Sequence, residues 1–142
     1  MINIDKVKKE LIKDATRTFP DECCGFIFGN EKDEEREIIE ILAVDNAKEG
    51  DKKRRFEITA KDYIKAEQYA EDKGLALLGI YHSHPNHPSV PSEHDRISAQ
   101  PFFSYLIISL IEEEINSIQS WLLNEDFQFE EEKILEHKPI TH

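Results

Sequence analysis

The sequence contains only two cysteines, Cys23 and Cys24, and they are adjacent. Neighbouring cysteines rarely form a useful disulfide, and no Cys-x-x-Cys motif is present for redox chemistry or metal binding. The first residues contain no apolar signal segment, and no hydrophobic run approaches the roughly 20 residues needed to span a bilayer. The sequence therefore predicts a cytoplasmic protein with no membrane partner.

Basic residues are scarce relative to acidic ones. The chain has 18 Lys and Arg against 30 Asp and Glu, which gives a formal net charge of −12. Such a surface repels phosphate backbones, so we expect no nucleic-acid partner. The 142 residues suffice to bury a core, and no repeat or linker divides them. We expect one domain over residues 1–142, and the possibility of a homo-oligomer stays open.

Apolar residues that recur at three- and four-residue steps predict two helices. Pro20 ends the first helix, whose apolar positions are Ile4, Val7, Leu11, Ile12, Ala15 and Phe19. Thr59 caps the second helix, which runs to Lys73 and stops at Gly74. The expected inner face of this second helix consists of Tyr63, Ile64, Ala66 and Ala70.

Short apolar runs bounded by turn residues predict the strands. A buried strand over 23–29 has an antiparallel neighbour over 37–44, and a polar surface loop over 45–55 leads to an alternating strand over 55–58. The almost wholly apolar run 75–81 predicts a central strand, with polar residues beginning where it ends. Three further strands are predicted over 103–111, 115–123 and 127–135, the last at a sheet edge. This order predicts an α/β domain with a mixed sheet flanked by helices.

The central strand leads into the segment with the most functional residues. His82 and His84 lie two positions apart, so an extended backbone points both imidazoles to the same side, where they can bind one metal ion. Asp95, in the first turn of a helix capped by Ser92, can supply a third ligand and leave a fourth tetrahedral position open. His87 and His94 are expected to be loop residues, although His94 is close enough in sequence to be an alternative ligand.

These residues resemble a known signature. His82-Ser83-His84, then seven residues, then Ser92-x-x-Asp95 is similar to the motif of the JAMM (MPN+) zinc metalloproteases. The segment from Pro20 to Gly25 resembles the part of that family that carries its catalytic glutamate, and the similarity extends from about Pro20 to Leu123. The resemblance implies a cytidine-deaminase-like JAMM/MPN fold.

The resemblance also implies roles for individual residues. His82, His84 and Asp95 would bind one Zn²⁺ per chain. Glu22 would hold the attacking water and act as general base, then as proton donor to the leaving amine. Ser92 would donate a hydrogen bond to the tetrahedral oxyanion.

The compact chain resembles the stand-alone prokaryotic members of the family, because it has little room for the inserted segments that recognise ubiquitin in eukaryotic deubiquitinases. This implies a peptidase or isopeptidase that removes a C-terminal extension or conjugate from a small ubiquitin-like sulfur carrier. The loop over 45–55 and a sheet edge would hold the carrier's tail as an added strand.

Other interpretations stay open from the residues alone. The chain can be a non-catalytic MPN-type scaffold for protein interaction, Glu22 a surface acid, and Ser92 only a helix cap. Cys24 is expected to be a small buried residue and not a nucleophile. The signatures of zinc nucleobase deaminases and of His-Glu-x-x-His peptidases are absent from the sequence.

Overall fold

The computed structural model describes residues 1–53 and 55–135. Three helices accompany the sheet: α1 (Lys8–Thr18), α2 (Ala60–Lys73) and α3 (Glu93–Ser98). The seven strands are β1 (Ile2–Asn3), β2 (Cys24–Lys32), β3 (Glu35–Val44), β4 (Ala76–Pro85), β5 (Ser104–Ile111), β6 (Glu114–Leu123) and β7 (Phe129–Glu132).

All seven strands belong to one mixed sheet with the order β1-β3-β2-β4-β5-β6-β7. β1 pairs with β3 and β4 with β5 in parallel, and the other pairs are antiparallel. This confirms the predicted α/β class, the antiparallel pair of β2 and β3, the central position of β4 and the edge position of β7. β1 was not predicted, because two residues are too short to show a period.

The two edges of the sheet meet at Ile2. Its N–H donates to the carbonyl of Lys133 (2.9 Å), and the N–H of Leu135 donates to the carbonyl of Ile2 (2.8 Å). Ile2 also forms an isolated parallel bridge with Ile134. The edges that an added strand would need are therefore partly occupied by the chain itself.

Two apolar clusters cover opposite faces of the sheet. One packs beneath α1 and includes Leu11 and Ala15, and the other packs beneath α2 and includes Ala66 and Ala70. The predicted inner face of α2 is correct for Tyr63, Ala66 and Ala70 but wrong for Ile64, which is 67% exposed. Ile64 lies about 200° around the helix from Ala66, since each residue turns the helix by about 100°.

The predicted strand over 55–58 is wrong. Its alternation arises because Phe56 and Ile58 pack against the cluster beneath α2. The backbone of this segment bonds to the Asn46 side chain, which accepts from the Glu57 N–H (3.1 Å) and donates to the Arg55 carbonyl (3.0 Å). The Glu57 carbonyl also accepts from the Ala47 N–H (2.9 Å), so a side-chain amide and a single backbone bond take the place of a neighbouring strand.

Two further expectations concern the whole chain. In the described ranges, no helix combines the length and apolar character needed to cross a membrane. The predicted domain extent, 1–142, includes residue 54 and residues 136–142, which lie outside the described residues. That extent stays a prediction.

Tyr81 connects the central strand to α1. Its hydroxyl donates to Asp14 Oδ2 (2.8 Å) inside the protein, and Arg17 donates to Asp14 Oδ1 (2.5 Å). Burial, followed by the charge of Asp14, raises the pKa of Tyr81 far above its ordinary value, so the hydroxyl keeps the proton that it donates. This contact fixes the strand residue that immediately precedes His82.

Replacing Tyr81 by phenylalanine leaves one oxygen of a buried carboxylate without its donor. We expect Tyr81→Phe to lower the free energy of unfolding by about 1.5–3 kcal/mol, measured by urea denaturation. Tyr69→Phe is the matched control, because the half-buried Tyr69 hydroxyl donates to Glu40 at the surface; it should change stability by less than about 0.5 kcal/mol. Equal losses in the two variants would contradict the assigned role of Tyr81.

Candidate metal centre

The central strand positions both histidines. β4 continues through His84 to Pro85, so both histidines lie within the strand. The prediction that the strand ends before them is wrong. His82 is opposite Cys24 on β2 and Ile107 on β5, and pairing on both sides holds the backbone extended. Both imidazoles therefore project from the same face, as the alternation of side chains in a strand requires.

Three side chains converge on one point. His82 Nε2 lies 3.1 Å from His84 Nε2, and Asp95 Oδ2 lies 3.4 Å from the first and 3.3 Å from the second. Tetrahedral ligands at the usual zinc–nitrogen distance of 2.0–2.1 Å are about 3.3–3.4 Å apart. The three atoms thus fit one face of a coordination tetrahedron.

Contacts behind the histidines fix their rings. His84 Nδ1 donates to the carbonyl of Pro88 (2.8 Å), which leaves Nε2 with its lone pair toward the shared point. Phe56 stacks on His82, with ring centroids 4.4 Å apart and planes 28° apart. His82 Nδ1 is buried and has no hydrogen-bond partner within residues 1–53 and 55–135.

The start of α3 fixes the carboxylate. Ser92 Oγ accepts from the Asp95 N–H (3.0 Å), and Asp95 Oδ2 accepts from the Ser92 N–H (2.9 Å), which is a capping box. The predicted cap at Ser92 is confirmed. Because Ser92 Oγ accepts with a lone pair, its own proton stays available to another acceptor.

The charges at the site favour the forms that bind metals. Burial lowers the pKa of His82, so its imidazole is neutral at pH 7. Burial alone would raise the pKa of Asp95, but its interactions with His82, His84 and the Ser92 N–H hold that pKa well below the usual range. Two imidazoles and a carboxylate form a donor set suited to a divalent transition metal.

Glu22 lies beside the same point. It is 1% exposed, so it is not a surface acid, and its Oε1 is buried without a hydrogen-bond partner in the described ranges. Ligand atoms of Glu22, His82 and His84 all lie within 4.8 Å of one another. Burial, with added repulsion from Asp95 and Asp51, raises the pKa of Glu22 to about 9. Glu22, His82 and His84 are thus themselves close enough to hold a metal ion together.

The loop over 45–55 holds the backbone of Glu22. The Glu22 N–H donates to the carbonyl of Lys52 (2.7 Å), and Asn46 Nδ2 donates to the carbonyl of Glu22 (3.2 Å). The Asn46 side chain also bonds to Arg55, Lys48 and Glu57. One amide therefore joins the backbone of Glu22 to the segment that carries Phe56.

His87, His94 and both cysteines lie outside the cluster. The His87 ring is edge-on to the His84 ring, with centroids 6.4 Å apart. His94 lines the two cavities beside the ligand atoms and is not one of the three converging side chains. Cys23 and Cys24 are free and buried. Burial is the main cause that raises the pKa of both thiols, to about 12 for Cys24, so thiolate is disfavoured.

Sequence reasoning missed three groups that support the site: Phe56, Asn46 and the Pro88 carbonyl. The Pro88 carbonyl leaves no trace in residue type. Asn46 stands in a polar loop where such residues are common. Phe56 carried a signal, since it is a large apolar residue in a charged segment, but that signal was attributed to a strand.

The chain and its fold have counterparts among known proteins. The family described as prokaryotic homologs of the JAB domain matches residues 5–124. The chain belongs to this family. A desampylase of Pyrococcus furiosus is 30% identical over 114 residues, which cover 80% of this JAB-domain chain and 75% of the relative.

Solved structures agree with this membership. A protein from Desulfitobacterium hafniense is 28% identical, with a TM-score of 0.83 over 95% of this chain and 92% of its own. A JAB1/MPN domain protein from Archaeoglobus fulgidus is 19% identical, with a TM-score of 0.56 over 95% of each chain. The second likeness concerns the fold alone and confirms the JAB1/MPN arrangement of sheet and helices.

Removing the Asn46 amide should loosen the backbone around Glu22. We expect Asn46→Ala to lower the free energy of unfolding by about 1–3 kcal/mol and to speed hydrogen exchange at the Glu22 amide. Asn124→Ala is the control, because Asn124 accepts from Asp126 and Gln128 in the β6–β7 turn. Unchanged exchange at Glu22 in Asn46→Ala would show that the loop does not depend on this amide.

Proposed function

We propose that this JAB-domain protein is a zinc-dependent peptidase or isopeptidase. Its substrate would be a small ubiquitin-like protein of the sulfur-carrier kind, and the bond cleaved would join that protein's tail to a C-terminal extension or a conjugate. The relation to a desampylase supports a hydrolase that acts on a ubiquitin-like modifier. The observation that carries the proposal is a buried Glu22 carboxyl beside three convergent ligand atoms.

His82, His84 and Asp95 would hold one zinc ion through the three atoms described above. Zinc, when bound, would act as a Lewis acid that polarises the substrate carbonyl and lowers the pKa of water from 15.7 to about 7. Burial raises the pKa of Glu22, whereas a nearby dication lowers it, so the two effects oppose each other. A carboxyl poised between them suits proton transfer near neutral pH.

The proton follows a simple course through Glu22. Its carboxylate takes a proton from the attacking water as the oxygen bonds to the scissile carbonyl carbon. The carboxyl then gives that proton to the amine nitrogen as the carbon–nitrogen bond breaks. Ser92 Oγ, which lines a groove of about 700 Å³ together with Glu22 and His84, would donate its free proton to the oxyanion.

The tail would lie along the segment that carries Phe56. The sheet edges at β1 and β7 are far from β4 in strand order, so they are poor candidates for holding a tail at the site. In the described part of the chain, the N–H and C=O of Phe56 and the N–H of Ile58 have no hydrogen-bond partner, while Arg55 and Glu57 bond to Asn46. An extended tail could pair with these free groups. The segment expected to hold the tail is therefore 56–58, in place of the loop over 45–55 and a sheet edge.

A non-catalytic scaffold is the alternative function. A scaffold has no need for three ligand atoms within 3.4 Å of one another or for a desolvated carboxyl beside them. Burying such groups costs stability unless something offsets it. The arrangement therefore favours the enzyme.

Glu22→Gln keeps the size of the side chain and removes its capacity to carry the proton. We expect cleavage of a C-terminally extended ubiquitin-like carrier, followed by intact mass, to slow by about 10²–10⁴-fold. Zinc content should stay at that of the wild type, because Glu22 is not among the proposed ligands. Cleavage at the wild-type rate would rule out the proposed role of Glu22.

Ser92→Gly separates capping from oxyanion stabilisation. Glycine is tolerated at a helix N-cap at a cost of a few tenths of a kcal/mol, so stability should change little. The oxyanion donor is lost, and we expect kcat to fall by about 10²–10³-fold while KM stays constant. If kcat is retained, Ser92 is only a cap.

A further inference from the structure

A partly open pocket adjoins the ligand atoms. Its volume is about 330 Å³, within the range of sites that bind small ligands. His82 and Asp95 are among the residues that line it, and neither Glu22 nor Ser92 lines it. His94 lies between this pocket and the groove that contains Glu22.

Of the eleven residues that line the pocket, five are apolar or aromatic: Phe56, Ile58, Tyr63, Ile80 and Tyr105. The others are polar or charged and include Lys48 and Glu57. Ile80 and Tyr105 are buried in the cluster beneath α2, and the Tyr105 hydroxyl accepts from the Gln100 N–H (2.6 Å). The walls thus offer ring surfaces held in place by the core, which suit a large apolar side chain.

The position of Glu22 indicates which part of a substrate enters. Under the proposed function, Glu22 hands its proton to the leaving amine, so the leaving fragment lies in the groove with Glu22. The fragment that contributes the scissile carbonyl then extends across His82 and Asp95 toward the pocket. A tail paired along 56–58 would follow the same course, because Phe56 and Ile58 also line the pocket.

We infer that this pocket receives one large apolar side chain from the acyl side of the substrate. Side chains alternate along an extended strand, so only one residue of the tail would point into it. The inference rests on the proposed function for its assignment to the acyl side. The pocket would select substrates by the size and apolar character of one side chain, which the ligand atoms and Glu22 do not do.

Binding to an inactive variant tests the pocket without cleavage. The probes are fluorescent octapeptides in which each position in turn is Phe, Leu, Ala or Asp, and the protein is zinc-loaded Glu22→Gln. We expect one position at which Phe binds about 10- to 50-fold more tightly than Ala by fluorescence anisotropy. Equal affinity for Phe and Ala at every position would overturn the inference.

A rim variant links the preference to this pocket. Ser98 is exposed at the end of α3 and lines the pocket, so Ser98→Phe should fill the space without disturbing the core. In the Glu22→Gln background it should abolish the Phe preference and leave the affinity for the Ala peptide unchanged. Ile97→Phe is the matched control, because Ile97 is 71% exposed and does not line the pocket. If Ser98→Phe keeps the preference, the side chain binds elsewhere.

Cleavage by the wild type separates this inference from the proposed function. The intact masses of the products identify the bond that is cleaved. The position that prefers Phe must lie on the N-terminal side of that bond. A preference after that bond, or cleavage with no preference, overturns the inference and leaves the hydrolase in place. A Phe preference that Ser98→Phe removes, with no cleavage of any probe or extended carrier, keeps the pocket and counts against the hydrolase.

Discussion

Ser92 and Asp95 hold each other at the start of α3, and the oxygen of Asp95 that accepts from Ser92 is also the one that faces both imidazoles. The imidazoles are held in turn because β4 pairs with β2 as far as His82 and with β5 as far as Pro85. Strand alternation orients the two imidazoles and a helix cap orients the Asp95 carboxylate. Both are local effects, and together they bring the three ligand atoms to one point. Every other feature of the site is arranged around these three atoms.

Burial gives the site its chemical character. Glu22 is enclosed by the same loop whose Asn46 holds its backbone, and desolvation moves its pKa upward. The neighbouring carboxylate of Asp95 is held in its charged form by the histidines. The pKa of Glu22 is therefore raised and the pKa of Asp95 is lowered. Such a difference is the usual basis for assigning one carboxyl group to proton transfer and the other to metal binding.

Periodic features could be predicted from the sequence, and features made by single distant contacts could not. The alternation of His82 and His84 and the cap at Ser92 follow from local spacing. Asn46 bonds to the backbone of Glu22 across 24 residues, and no local pattern announces such a contact. Phe56 and Ile58 show the reverse error, since their alternation reflects packing against α2 and not pairing in a sheet.

Zinc K-edge absorption spectroscopy of the purified protein tests the central claim most directly. The account predicts one tightly bound zinc per chain, with two imidazole nitrogens at about 2.0–2.1 Å and a carboxylate oxygen among the nearest neighbours. Asp95→Asn should weaken zinc binding, whereas Ile97→Ala should not. A protein that holds no zinc after loading, or a spectrum without imidazole ligands, would contradict the account.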